Sequence, residues 1–152
     1  MHDIIFEVSE MPVDESDYIT AEGFSDNEFI WSISDYIKET EDREDDIKGL
    51  QNITKDTLEL IQENNIYKIK LLPEGKENFF CKRLDTLKSL FNSMTLEEFC
   101  DDANSFKLRM LIEDKYSSYF YLNGAFYNLD SFIRRLTEEE TYFIGGVIVY
   151  HR

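Results

Sequence analysis

Apolar and polar residues alternate in several short segments of the chain, which is the pattern of a strand with one buried face. In residues 66–72, three apolar side chains alternate with two lysines, and residues 106–112 repeat the alternation. Residues 79–81 and 142–150 are short apolar runs of strand length, the second interrupted by two glycines. All four segments are predicted to be strands.

The N-terminal region combines a predicted hairpin with a segment that fits two structures. Residues 4–8 and 18–21 are apolar and are joined by a polar stretch containing proline, so they are predicted to pair as strands. A helix-start pattern follows, in which Ser25 is the capping residue and Glu28 lies three positions later. Residues 29–33 also fit strand alternation, and the capping pattern leads us to favour a helix there.

Capping residues and apolar spacing predict further helices. Apolar residues recur at helical spacing in residues 53–64, and a helix is expected to end there at two consecutive asparagines. Asp85 and Asp130 each precede an amphipathic segment and are predicted to cap a helix. Thr95 and Glu98 have the spacing of a capping box.

Asn123 and Gly124 give the strongest local signal in the chain. They separate two aromatic segments by two residues, which is typical of a tight β-hairpin. In the resulting register, Tyr119 and Tyr121 lie on the side of the hairpin opposite Phe120. One side must face the core, and the other is either covered by a helix or available for contact.

Strands joined by hairpins and separated by short helices are typical of an α+β fold with a largely antiparallel sheet. The chain has 152 residues, which is the length of one domain. No linker rich in proline, glycine or serine divides it. We therefore predict a single compact domain over residues 1–152.

The net charge is strongly negative and is concentrated in the N-terminal part. The chain has 32 acidic and 16 basic residues, and residues 1–63 hold 19 of the acids but only 4 of the bases. Residues 64–152 are nearly balanced, with 13 acids and 12 bases. Because affinity for phosphates and anionic membranes comes from lysine and arginine, this composition disfavours direct binding to nucleic acid or to a membrane surface.

The ends of the chain predict a cytoplasmic protein. The first 15 residues lack the basic and apolar regions of a secretory signal, and the apolar run near the C-terminus is too short to cross a bilayer. Cys81 and Cys100 are too few for a disulfide framework and are expected to be free thiols.

The candidate catalytic and metal-binding groups are sparse. The two histidines lie next to the termini, and no metal-ligand spacing, nucleophile elbow or phosphate-binding loop is present. Four carboxylates are spaced as neighbours on one helix and could serve a cation or acid-base chemistry: Glu97, Glu98, Asp101 and Asp102. Acids near a helix start are also favoured by the helix dipole alone, so we predict neither a catalytic residue, a metal nor a cofactor.

The feature that remains is an acidic surface accompanied by aromatic residues. Its field would attract a basic protein and raise the encounter rate by about 10- to 10³-fold. Tyrosines of the predicted hairpin could supply contact area. The candidate partner-binding residues are Asp14, Glu15, Asp17, Asp35, Glu39, Glu41, Asp42, Glu44, Asp45, Asp46, Tyr119 and Tyr121.

These observations lead to a hypothesis of a non-enzymatic inhibitor that neutralises a basic protein. Nuclease clefts are built to attract phosphate, so a toxin nuclease held by an immunity protein fits the charge and size. Two alternatives remain. One is a DNA mimic that blocks a restriction system, and the other is a small enzyme using the carboxylates of residues 97–102.

Overall fold

A computed structural model of the chain describes residues 2–113 and 116–152. The strands are β1 (His2–Ser9), β2 (Tyr36–Glu39), β3 (Leu58–Glu63), β4 (Ile66–Leu71), β5 (Ser118–Leu122), β6 (Ala125–Asn128) and β7 (Thr141–His151). The α-helices are α1 (Glu28–Ile33), α2 (Arg43–Thr54), α3 (Gly75–Ser93), α4 (Leu96–Phe99), α5 (Asp102–Ile112) and α6 (Leu129–Arg135). Two short 3-10 helices lie at Glu15–Asp17 and Glu22–Phe24.

The described strands form one sheet in the order β3-β4-β7-β1-β5-β6. On one side, β7 pairs with β1 along most of its length. On its other side, β4 pairs with residues 141–144 and β2 pairs with residues 148–151. The pairing of β1 with β5 is parallel and the other pairings are antiparallel, which confirms the predicted α+β class.

Helices cover both faces of the sheet. On one face, Phe6, Phe120 and Ile144 pack with apolar residues of α2 and α6. On the other face, Ile5 and Tyr150 pack with α1 and the 3-10 helix before it. Successive residues of β1 therefore enter different cores, since side chains alternate across a strand.

Residues 18–21 are not a strand, and the predicted N-terminal hairpin is wrong. Both sides of β1 are occupied, by β7 and by the parallel β5. The backbone N–H of Ile19 instead donates to Glu7 Oε2 at 3.0 Å, and the N–H of Gly146 donates to the same oxygen at 2.7 Å. The Glu7 carboxylate thus holds this segment beside the irregular pairing of β1 with β7, where the register shifts between Phe6 and Val8.

The helix predicted over residues 53–64 is also wrong. Helix α2 ends at Thr54, and β3 then pairs with β4 through a turn in which Asn64 has φ of 57°. Residues 79–81 and 106–112 lie in α3 and α5 rather than in strands. In α5, Leu108 is buried while Phe106 and Met110 are exposed, so the alternating apolar residues do not share a buried face.

Several local predictions are confirmed. Residues 66–71 form β4 with alternate burial, and residues 28–33 form a helix. The Thr95 and Glu98 capping box is present at the start of α4. The hairpin at Asn123 and Gly124 has both residues at positive φ and the predicted register.

Three residues predicted to cap helices do not do so. Asn27, rather than Ser25, caps α1. Asp85 lies inside the long helix α3. Asn128 caps α6, and Asp130 is buried in an ion pair with Arg83 at 2.8 Å.

The described helices include none that is both long enough and apolar enough to cross a membrane.

Candidate acidic protein-binding surface

The start of α2 concentrates carboxylates for a local reason. Asp42 caps the helix, its Oδ1 accepting the backbone N–H of Asp45 at 3.0 Å. Glu44 and Asp45 follow in the first turn, where the helix dipole favours negative charge. All three side chains are exposed.

Arg43, the base within this acidic turn, points into the domain. Its Nε donates to the carbonyl of Gly145 at 2.8 Å, and Nη2 donates to the carbonyl of Ile144 at 2.8 Å. These carbonyls lie where β7 passes from its pairing with β4 to its pairing with β2. Buried backbone oxygens require hydrogen-bond donors, and the guanidinium supplies one to each of these two carbonyls.

Aromatic contacts of Arg43 join two acidic segments. Its guanidinium carbon lies 4.8 Å from the ring centre of Tyr18 and 5.3 Å from that of Tyr67. Tyr18 directly follows the 3-10 helix Glu15–Asp17, so that acidic turn lies next to the start of α2. We call the combined surface the acidic patch; it consists of Asp14, Glu15, Asp17, Asp42, Glu44, Asp45 and Asp46.

The pKa values of two groups beside these carboxylates are raised. Burial raises the pKa of Asp46, and the charges of Asp45 and Asp42 raise it further, while a hydrogen bond from the Thr40 hydroxyl lowers it. Burial likewise raises the pKa of Tyr67, whose hydroxyl donates to Glu44 Oε1 at 3.3 Å. Because the charges of Asp42 and Asp45 raise the pKa of Asp46, these three carboxylates are close enough to contribute to the same electrostatic potential.

Other predicted acidic residues have local partners. Glu39 Oε1 accepts the backbone N–H of Ala21 at 2.8 Å, and Glu41 pairs with Lys38 at 2.7 Å. Asp35 lies at the opposite end of β2, where its Oδ1 is 3.6 Å from Nδ1 of His151. The structure therefore places Asp35 about 13 Å along the strand from Glu39, at ~3.3 Å per residue, and outside the acidic patch.

Tyr119 and Tyr121 lie on the sheet face that α1 covers. Their rings make edge contacts with Phe29 and Phe24, at centroid separations of 5.2 and 4.9 Å. Both tyrosines are half-buried in this cluster. Of the two arrangements left open for this side of the hairpin, the structure has the covered one.

The four carboxylates of residues 97–102 do not share a helix. Glu98 belongs to the capping box of α4, and Asp101 caps α5 by accepting the N–H of Ala103 at 2.8 Å. Glu97 and Glu98 lie in α4 and Asp102 lies in the first turn of α5, and all four side chains are exposed. In the described part of the chain, no group of three or more His, Cys, Asp or Glu residues is arranged to hold a metal ion.

The domain also has a cavity of about 460 Å³ between the end of α2, the first turns of α3 and the end of α5. Phe79, Arg83, Met110 and Tyr116 are among its walls. None of the acidic-patch residues and none of the four carboxylates of residues 97–102 lines it.

Sequence reasoning missed the inward orientation of Arg43 and the roles of Tyr18 and Tyr67. It treated Arg43 only as a base within the charged run, because contacts with residues 100 positions away leave no local pattern. The available signal in the sequence was a single arginine among carboxylates next to a helix-capping residue, which could have indicated an arginine held by the fold. No protein-family model, curated protein sequence or solved structure matches this chain.

Proposed function

We propose that this protein is a non-enzymatic inhibitor that binds a basic protein through the acidic patch. In this proposal it is an immunity protein, and its partner is a toxin with nuclease activity. Binding covers the phosphate-attracting cleft of the nuclease and excludes its substrate. The protein itself supplies charge and shape and carries out no reaction.

The orientation of Arg43 is the observation that carries the proposal. Its hydrogen bonds to Gly145 and Ile144 hold the half-buried guanidinium against the sheet rather than in ion pairs with the neighbouring carboxylates. In residues 2–113 and 116–152, none of the ion pairs includes Asp42, Glu44 or Asp45. These exposed carboxylates are therefore available to a cationic partner.

The compact layout of the patch favours a protein partner's cleft over mimicry of DNA. A mimic needs carboxylates spaced like phosphates along an extended face. Here the acids come from one helix start and one adjacent turn, held together by Arg43 and Tyr18. No comparable arrangement supports an enzyme at residues 97–102, because two of those four carboxylates serve as helix caps.

Exposed aromatic side chains outside the acidic patch supply contact area in this proposal. Trp31 and Tyr36 are each more than half exposed. Tryptophan and tyrosine contribute most often to binding hot spots. We therefore assign steering to the carboxylates and retention of the partner to Trp31 and Tyr36, whereas Tyr119 and Tyr121 contribute by supporting the fold.

The proposal predicts that a neighbouring gene encodes a basic nuclease domain, and the test uses that domain in purified form; a biosynthetic gene in that position contradicts the proposal. The variant Asp42→Asn, Glu44→Gln, Asp45→Asn keeps the capping oxygen and removes three charges. Its matched control, Glu59→Gln, Glu138→Gln, Glu139→Gln, removes three exposed charges elsewhere. At low salt we expect the association rate to fall about tenfold or more for the patch variant and much less for the control.

Salt and inhibition measurements complete the test. The association rate of the unmodified protein should fall as ionic strength rises, and the patch variant should show a weaker dependence. Trp31→Ala and Tyr36→Ala should chiefly raise the dissociation rate. Failure to inhibit the nuclease at molar excess contradicts the proposed role, and equal losses in the patch and control variants contradict the assigned surface.

A further inference from the structure

Helices α3, α4 and α5 form a helical hairpin (Gly75–Ile112), and side chains in the first half of α3 join it to the rest of the domain. Lys76 Nζ donates to the carbonyl of Arg134 at 2.8 Å, and Asn78 Nδ2 donates to that of Asp56 at 2.7 Å. Arg83 adds its ion pair with Asp130. Helix α3 continues for ten residues beyond Arg83, which is about 15 Å at ~1.5 Å per residue.

The hairpin exposes an unusual share of large apolar side chains. It holds a quarter of the chain's residues but seven of the twelve exposed large hydrophobic residues in the described ranges. The seven are Leu84, Phe91, Leu96, Phe99, Phe106, Met110 and Ile112. Isolated exposed apolar residues are common, whereas such a concentration is typical of an interaction surface.

Summed over the three helices, the exposed apolar area is of the size that an interface needs. Phe91, Phe99 and Phe106 are 53%, 57% and 61% exposed. A phenylalanine buries about 150–250 Å² when it is covered, so these three rings alone offer roughly 300 Å². The four aliphatic side chains add a comparable area, which brings the total towards the ~800 Å² that each partner contributes to a standard interface.

The charges of the hairpin distinguish it from the acidic patch. Residues 75–112 contain six acids and six bases, so this segment is neutral in a chain of net charge -16. Four of the acids lie in residues 97–102, at the tip. The exposed bases Lys82, Lys88, Lys107 and Arg109 lie on the two long helices, where they outnumber the two exposed acids of α3, Glu77 and Asp85.

The charges of two such hairpins are complementary when the hairpins lie side by side in opposite directions. The acidic tip of one copy then meets the basic helix surfaces of the other, and the apolar side chains are covered between them. A closed symmetric pair uses the same surface on both copies. A basic partner fits the acidic patch better than this neutral face, because the hairpin has no surplus of negative charge to attract it.

We infer that the helical hairpin is a self-association surface on which a second copy of this chain docks antiparallel. The dimer leaves the acidic patch outside the interface, so two strongly negative surfaces are not brought together. The inference is independent of the proposed inhibitor role, since it concerns a different part of the molecule.

Sedimentation equilibrium of the purified full-length protein tests the dimer. We expect a mass of twice 18.1 kDa at high concentration, dissociating on dilution. The combined substitution of Phe91→Ser and Phe106→Ser should raise the dissociation constant at least tenfold, with the circular dichroism spectrum unchanged. The control Met11→Ser removes an apolar residue that is 70% exposed outside the hairpin and should have no effect.

Charge reversals test the antiparallel arrangement. Glu97→Lys and Lys88→Glu should each weaken the dimer, and the two reversals together should restore it. A monomer of 18.1 kDa at roughly 100 µM overturns the inference, as does a dimer that persists without the two phenylalanines. A dimer that loses affinity with each reversal but is not restored by both overturns the antiparallel arrangement.

Discussion

The Nε atom of Arg43 lies 2.8 Å from the carbonyl oxygen of Gly145, although the two residues are 102 positions apart in the chain. This hydrogen bond joins the start of the acidic helix α2 to the centre of the sheet. It lies between the segments of β7 that pair with β4 and with β2. Arg43 therefore bonds to the sheet, whereas the neighbouring carboxylates of Asp42, Glu44 and Asp45 face solvent.

Replacing Arg43 should destabilise the fold. Arg43→Met keeps an apolar stem beside Tyr18 and Tyr67 but leaves the carbonyls of Ile144 and Gly145 without this donor. Hydrogen bonds from charged groups contribute about 1.5–3 kcal/mol, so we expect the free energy of unfolding to fall by about 2–3 kcal/mol. Urea denaturation measures the change. Lys48→Met, at an exposed position on the same helix, is the control and should change it by less than about 0.5 kcal/mol.

Glu7 and Gly145 should be energetically coupled. A methyl group on Gly145 would lie 2.4 Å from Glu7 Oε2, the oxygen that accepts the N–H groups of Ile19 and Gly146. Gly145→Ala should displace the carboxylate, and Glu7→Ala removes it, so each should cost about 2 kcal/mol. The double variant should lose less than the sum, because the same hydrogen bonds are lost in both. Strict additivity in a double-mutant cycle would show that the glycine acts by another route.

The two acceptor side chains at the start of α6 should differ in importance. Asn128→Ala removes an N-cap hydrogen bond and should cost about 1 kcal/mol. Asp130 is 3% exposed and pairs with Arg83, so Asp130→Ala should cost about 3 kcal/mol or more by leaving that cation unpaired. Adding Arg83→Met to Asp130→Ala should recover part of the loss. Thermal or urea unfolding of the four proteins checks the order, which would be wrong if the Asn128 substitution were the more costly.

Asp46 should make the fold less stable as the pH rises. Burial raises its pKa in the folded state above the ordinary value of 3.8, with the charges of Asp45 and Asp42 adding to the effect. The folded protein therefore holds this proton more tightly than the unfolded chain, and the stability that it provides below pH 3.8 is lost as the pH rises through the raised pKa. Asp46→Asn should reduce this decline in the free energy of unfolding, measured by urea denaturation from acidic to neutral pH. An unchanged difference between acidic and neutral pH would contradict the assignment, and Asp26→Asn, at an exposed acid away from α2, serves as the control.

Predictions from the sequence were correct where a few neighbouring residues decide the structure. The capping box of Thr95 and Glu98 and the turn at Asn123 and Gly124 depend on contacts within four positions. The alternation of residues 66–71 also held, because one face of β4 is buried along its whole length. The predictions for residues 18–21 and 58–63 failed, since their apolar residues fit more than one structure until a pairing partner is known.

The amino-acid sequence by itself determined the α+β class, the local turns and caps, and the concentration of negative charge in the first 63 residues. These properties follow from composition and from short-range hydrogen bonds. Only the tertiary structure decided which carboxylates stand together and where Arg43 points. The physical reason is that buried carbonyl oxygens of β7 require donors, and only the folded sheet brings Ile144 and Gly145 to the arginine that satisfies them.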